Sequence, residues 1–247
     1  MNSISIIIAT HNAGKYLQNC LNSIIIQKGK NTEIIIVDGG SKDNTLEIIN
    51  NNRRYITYWI SEPDNGIYDA WNKGVSNATG NWIMFLGSDD LLSPKALEAY
   101  RKFIDRNQQS FDIISSKLDY VNENGTHIKF VGEPWNWEKL KMSRLSFAHP
   151  GLLHNAKLFK TNGLFDNTFK ICGDSEFFLR TQGKITAGFL DFVTVKMQRG
   201  GVSYSVKAII ESYQIRLKNR TLSKTNNILR FLRVLFVFYL SKIRHNI

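Results

Sequence analysis

Along the first 110 residues, short apolar runs alternate with amphipathic stretches. Ile4–Ala9, Glu33–Val37, Tyr55–Ile60 and Trp82–Leu86 are mainly apolar, and their length predicts strands. Between the first two, Lys15–Gln27 places Tyr16, Leu17, Cys20, Leu21, Ile24 and Ile25 on one helical face. Asp43–Asn52 and Ile67–Asn77 read as further helices, and Pro94–Arg106 as a helix capped by Ser93 with proline at its first position. Strands that lack polar alternation, in rhythm with helices, predict an α/β fold whose parallel sheet is covered on both faces.

After residue 110 the rhythm changes. Phe111–Ser116 and Gly125–Val131 predict strands of a more mixed sheet, with Asn124-Gly125 as a hairpin turn. Trp135–Met142, Lys157–Asn162 and Ser175–Thr181 read as short helices, and Gly188–Met197 as a late strand. Residues 1–110 are thus expected to form a nucleotide-binding half and 111–205 an acceptor half of one domain on a shared sheet. Residues 206–247 are expected to form a helical appendage.

Length and composition fit one sizeable core. Two cysteines, Cys20 and Cys172, make no disulfide framework and point to a reducing compartment. The N-terminus lacks a basic region followed by a long apolar run, so a cytoplasmic location is expected. The net charge of +11 is uneven: residues 207–247 hold nine Lys or Arg against one acid, Glu211.

The densest chemistry follows the apolar run at 82–86. Gly87-Ser88-Asp89-Asp90 places two carboxylates where a buried strand leaves the sheet. Helix capping accounts for Ser93 but leaves Asp89 and Asp90 unexplained. Buried carboxylates require a partner, and a hard cation holding a phosphorylated ligand is one. Thr10-His11-Asn12 leaves the first strand and Asp38-Gly39-Gly40-Ser41-Lys42-Asp43 the second, on the same sheet edge. Either Asp38 and Gly39 approach a ligand or the stretch is a strand-to-helix turn. Asp69 and Lys73 are four residues apart, which fits an exposed ion pair or a carboxylate and cation facing a nucleotide. Neither a dinucleotide fingerprint nor a Walker loop is present.

The ordered set Ala9-Thr10-His11-Asn12, Val37 to Thr45, Glu62-Pro63-Asp64-Asn65-Gly66-Ile67-Tyr68-Asp69-Ala70-Trp71-Asn72-Lys73-Gly74, Gly80 and Gly87-Ser88-Asp89-Asp90 resembles the family 2 inverting glycosyltransferases. The likeness is greatest to the small bacterial enzymes of O-antigen, capsule and exopolysaccharide synthesis. It implies a GT-A fold, meaning a Rossmann-like nucleotide-binding half with a mixed central sheet. It also implies a nucleotide-sugar donor, most readily a UDP-sugar, and a divalent metal ion, Mg2+ or Mn2+. By motif position Thr10, Asn12, Asp38, Gly39, Asp64, Asp69, Lys73 and Asp89 would line the nucleotide site. Asp90, with Asp89, would bind the metal. Gly163-Leu164-Phe165-Asp166 followed by Gly173-Asp174-Ser175-Glu176 resembles the family's acceptor segment, with Asp174 at the position of the catalytic base. Asp174 also suits the N-cap of a helix at 175–181. Weaker resemblances put Glu176 and His149 near the acceptor and Arg199 and Ser203 near the diphosphate. The processive relatives' Gln-x-x-Arg-Trp motif is absent, so a single transfer to a glycan or polyprenyl-linked glycan is expected.

The tail's longest uncharged stretch, Val234–Ser241, is too short to span a bilayer. Arg230, Arg233, Ser241 and Arg244 cluster on one side of a helix that is otherwise largely apolar. Either it lies in an anionic membrane surface, making the protein peripheral at the inner face, or it docks on the domain or in a homo-oligomer. A sugar-nucleotide nucleotidyltransferase would want a richer basic loop after the first strand. A nucleic-acid binder would want aromatic-basic sheet positions, so nucleic acid is not an expected partner.

Overall fold

The structure is a computed structural model that describes residues 2–107, 109–142, 147–198 and 204–245. Four parallel strands, β1 (Ile4–Thr10), β2 (Thr32–Asp38), β3 (Tyr58–Ser61) and β4 (Trp82–Gly87), form one limb of a single sheet in the order β3-β2-β1-β4. Their apolar runs feed two cores. Ile6, Ile8, Ile34, Ile36, Met84 and Leu86 face one side, and Ile7, Ile35, Val37, Ile83 and Phe85 the other. This is the pleat's period of two applied to strands buried on both faces.

Helices α1 (Leu17–Ile25), α2 (Thr45–Asn51) and α4 (Ala96–Arg106) cover the first side. Helix α3 (Ile67–Asn77) covers the second. It is joined there by α5 (Trp137–Met142), α6 (Ala156–Asn162), α7 (Gly173–Leu179) and α8 (Val206–Lys218). The strands and helices expected in the first 110 residues are present, with two corrections. Arg53–Tyr55 is a 3-10 turn, so β3 starts only at Tyr58. Ser93 does not cap α4: the helix begins at Ala96 after Lys95 in the left-handed region (φ 63°), and the Ser93 N–H is drawn instead to the Thr194 carbonyl.

The second limb continues with β8 (Leu153–Asn155), antiparallel to both β4 and β6 (Ile113–Val121). Then come β9 (Ala187–Gln198), parallel to β6, and β5 (Leu91–Leu92), antiparallel to β9. β7 (His127–Val131) forms a hairpin with β6 through Gly125, whose φ of 77° suits glycine. β5 follows β4 after three residues, yet it sits four places further along the sheet. The sheet must curl back on itself for that pairing, and residues 88–90 lie in the crook of the curl. Beyond α8, a final helix α9 (Lys224–His245) packs against it.

Candidate functional site

Strand register sets the site's floor. Thr10 pairs with Asp38, Asp38 with Ser61, and Ala9 with Gly87, so the ends of β1 to β4 are level at one sheet edge. The loops that leave them converge. A Cβ at Gly39 would meet Asp64 Oδ2 at 2.6 Å and His11 Nδ1 at 3.3 Å, so glycine lets three loops close over one point. Asn12, itself at φ 49°, accepts from the Lys42 N–H, and its own N–H donates to Ser41 Oγ at 2.7 Å. The Thr10 hydroxyl is buried there without a hydrogen-bond partner.

Asp38 is fully buried and already engaged. It accepts from the Gly40 and Ser41 N–H groups, from Ser41 Oγ and from Ser61 Oγ. Its carboxylate shapes the loop, with Oδ2 accepting three of these bonds and Oδ1 one. Asp69 and Lys73 are similarly occupied. Lys73 lies 2.7 Å from Glu62 and 3.7 Å from Asp69, and Asp69 accepts from the Asn65 N–H. This is the ion-pair alternative, extended by Glu62 into a brace for the 62–69 turn.

Asp89 and Asp90 converge. A Cβ at Gly87 would be 2.8 Å from Asp89 Oδ1 and 2.8 Å from Asp90 Oδ2, so both carboxylates close over the bare glycine. Asp90 is only 4% exposed, and its one donor among the described residues is the Gly87 N–H. Burial, with the Asp89 charge beside it, pushes the Asp90 carboxyl up to about 8. A cation would reverse that preference. Among the described residues no cluster of three or more His, Cys, Asp or Glu could hold a metal, so the pair supplies two ligands at most. That fits a Mg2+-type ion, which takes one or two carboxylates and completes its shell with phosphate oxygens and water. A groove of about 120 Å³ flanks Asp89, lined also by Tyr16, Asn19 and Lys196. A second groove, of about 580 Å³, lies further along, between Gln27, Leu91, Pro94 and Arg101.

Asp174 stands in the first turn of α7, whose N-cap is Cys172, so it is not the cap. Its Oδ1 accepts from the Ser175 N–H and lies 3.3 Å from the Tyr68 hydroxyl. Tyr68 is in the first turn of α3, directly after the β3 loop, so this contact ties Asp174 to the strand-end edge. Burial raises the Asp174 carboxyl to about 6, against the lowering effect of Ser175 and Tyr68. The Tyr68 ring also explains Gly173: a Cβ there would sit 2.8 Å from the ring carbons.

Three further expectations are corrected or left aside. Glu176 is 0% exposed and faces α8. It lies 2.9 Å from Arg180 Nε, in an ion pair that falls short of hydrogen-bond geometry, and 3.1 Å from Lys218 Nζ. Its carboxylate is taken up by ion pairs within the fold. His149 is buried in an aromatic stack, 5.0 Å from Trp71 and 5.8 Å from Phe85. Burial holds its pKa well below the ordinary histidine value. Arg199 and Ser203 lie outside the described residues. Sequence reasoning missed Tyr68 as a partner of Asp174. It also missed Glu211 of α8, which accepts the N–H groups of Lys170, Ile171 and Cys172 just ahead of α7.

Residues 5–164 match the family model described as Glycosyl transferase family 2. The chain belongs to this family. It is 34% identical over 182 residues to a PGL/p-HBAD biosynthesis glycosyltransferase of Mycobacterium bovis (strain BCG / Pasteur 1173P2), covering 71% of this chain and 68% of that one. A chondroitin synthase of Pasteurella multocida is 32% identical over 160 residues, 63% of this chain but 16% of its own length. Among solved structures, S. aureus TarS 1–349 in complex with UDP-GlcNAc superposes with a TM-score of 0.71 at 19% identity, over 94% of this chain and 71% of that one. The mannosyltransferase PcManGT from Pyrobaculum calidifontis, in complex with GDP-Man and Mn2+, superposes with a TM-score of 0.63 at 17% identity, over 90% and 65%. The fold of this family 2 glycosyltransferase is therefore GT-A, followed by a C-terminal helix.

Proposed function

We propose that this glycosyltransferase moves one sugar from a nucleotide-sugar donor, a UDP-sugar first, to a hydroxyl of a glycan or lipid-linked glycan. Transfer proceeds with inversion and depends on a divalent cation. Its setting is bacterial surface polysaccharide synthesis at the inner membrane face, with residues 1–110 serving the donor and 111–205 the acceptor. The observation that carries the reading is the pairing of two unlike carboxylate sites: Asp89 and Asp90 closed over Gly87, and Asp174 held by Tyr68. The UDP-GlcNAc complex of TarS and the GDP-Man and Mn2+ complex of PcManGT support donor class and cation by likeness of fold.

A cation at Asp89 and Asp90 would supply neutralisation of the charge that gathers on the leaving diphosphate. The chain's own part is proton removal and placement. Asp174, with a raised carboxyl, accepts the acceptor hydroxyl proton while that oxygen bonds C1 from the face opposite the diphosphate. The C1–O(phosphate) bond breaks and its electron pair leaves with the nucleoside diphosphate. The loops around Gly39, with Asp38 fixing their shape, frame the nucleoside.

Purified protein is tested with UDP-, dTDP- and GDP-sugars in Mg2+, Mn2+ or EDTA. Cation-dependent release of one nucleoside diphosphate, lost in Asp90→Ala and Asp174→Asn, is expected. Release that persists in EDTA and in both variants overturns the reading.

A further inference from the structure

Helix α9 is apolar on two opposite faces, and only one is used. Its inner face is docked: Asn227 is buried and accepts from Arg216 Nε, Phe231 packs on Tyr213, and Phe238 packs on Tyr204. On the other side Leu229, Leu232, Phe236, Val237, Tyr239 and Leu240 are 40–64% exposed. At 100° per residue the inner and outer faces lie roughly opposite one another. A helix that is apolar on both sides is ordinarily buried on both.

Two arginines edge the outer face. Arg230 and Arg233 both line a groove of about 340 Å³ with Met142, Leu222, Asn226 and Leu229. They also line a second, of about 300 Å³, with Val234 and Val237. Arg230 Nε is buried without a hydrogen-bond partner. No carboxylate pairs with either side chain among the described residues, and the sequence holds no acid after Glu211 against eight Lys or Arg. Burial and the Arg233 charge both press on Arg230. An unpaired, partly buried guanidinium next to a like charge favours an anion. The surrounding grooves are apolar, so the anion that fits carries hydrocarbon.

We propose that the outer face of α9 docks on anionic phospholipid, with Arg230 and Arg233 taking lipid phosphate and the apolar band entering the acyl boundary. No helix among the described residues is long and apolar enough to cross a membrane, so α9 lies in the surface plane. Attachment also orients the active site. α9 packs on α8, and Glu211 of α8 grips the backbone just ahead of Asp174. This rests on the inner-face location proposed above and names the residues that hold the protein there.

The test is co-sedimentation of the full chain with vesicles of phosphatidylcholine, with and without phosphatidylglycerol. Arg230→Gln/Arg233→Gln and Leu232→Ser/Phe236→Ser are compared alongside. Leu232, Arg233 and Phe236 are exposed and Arg230 is half-buried at the edge, so circular dichroism and thermal melts verify that each variant keeps its helix and its docking on α8. Wild type is expected to bind only the phosphatidylglycerol vesicles and to weaken with salt. Affinity should fall about fivefold per arginine removed, and Leu232→Ser/Phe236→Ser should abolish binding. Donor hydrolysis without vesicles should be unchanged in both variants, so loss of membrane binding and failure of the transferase reading are separate results. Equal binding by wild type and both variants overturns the proposal. So does a dimer in solution that Phe236→Ser dissolves, or salt-sensitive RNA retention without vesicle binding.

Discussion

The Tyr68 hydroxyl is shared between the Ile171 carbonyl at 2.9 Å and Asp174 Oδ1 at 3.3 Å, across more than a hundred residues of sequence. It joins the helix after β3 to the candidate base. Donation to a carboxylate favours the charged form, so Tyr68 holds Asp174 below where burial alone would put it. Tyr68→Phe is expected to move the acid limb of the kcat/KM profile upward by about one pH unit or less. A full pH profile checks this, and an unmoved limb removes Tyr68 from the mechanism.

Asp174 also carries a stability signature. Its carboxyl is raised to about 6 from an ordinary 3.8, so the folded state binds the proton more tightly than the unfolded chain. Its contribution therefore favours folding at low pH and is lost as pH rises through about 6. Asp174→Asn should melt higher than wild type at pH 8, with the gap closing toward pH 5. Transfer should drop by about 10²–10⁴. Thermal melts across pH read the first effect and product assays the second.

Gly87 is the most direct probe of the proposed cation site. Gly87→Ala puts a methyl group 2.8 Å from each carboxylate and forces them apart. Gly87 ends β4, and the carboxylates in the turn beyond it have to shift, so the expected result is a higher Mn2+ concentration for half-maximal activity and a lower melting temperature. Wild type should also gain thermal stability from UDP with Mn2+ but not from UDP with EDTA.

Glu211→Gln tests positioning without touching substrate. The carboxylate serves three backbone N–H groups, and an amide leaves one of them poorly served. A loss of about 1–3 kcal/mol is expected by denaturant titration. kcat should fall while donor KM stays constant, because only the approach to Asp174 is loosened.

Glu176→Gln distinguishes structure from catalysis in the same helix. Arg180 and Lys218, both partly open to solvent, would lose a shared charged partner, a change that costs about 1 kcal/mol once solvent screening is allowed for. Activity per folded molecule should be retained, which a candidate base could not do.

The first limb of the fold was readable because its strands are unbroken apolar runs and its helices carry one-sided faces. Ile67–Asn77 is helical over the expected residues. The three-residue β8 and two-residue β5 have no periodicity to read. Ser93-Pro94 carries a valid capping signature, but the neighbouring strand takes its backbone first. Site residues were legible as types and not as roles. Asp38, Asp69 and Glu176 each meet a partner that only the tertiary fold delivers: Ser61, Asn167 and Lys218. Asp174 and Glu176 look interchangeable in sequence, and helical geometry alone sends one toward Tyr68 and the other toward α8.

The return of β5 to β9 has a consequence for the order of assembly. Leu91 pairs with Lys196, so the loop between them must be synthesised and closed before residues 88–90 have both ends anchored. Such distant pairings form late, because the entropy of closing the loop is lost before the contact repays it. The carboxylate pair at 89–90 therefore belongs to the last-formed part of the molecule. A nascent chain that has completed β1 to β4 already has the strands of its parallel limb, but residues 88–90 can be anchored at both ends only after β9 emerges.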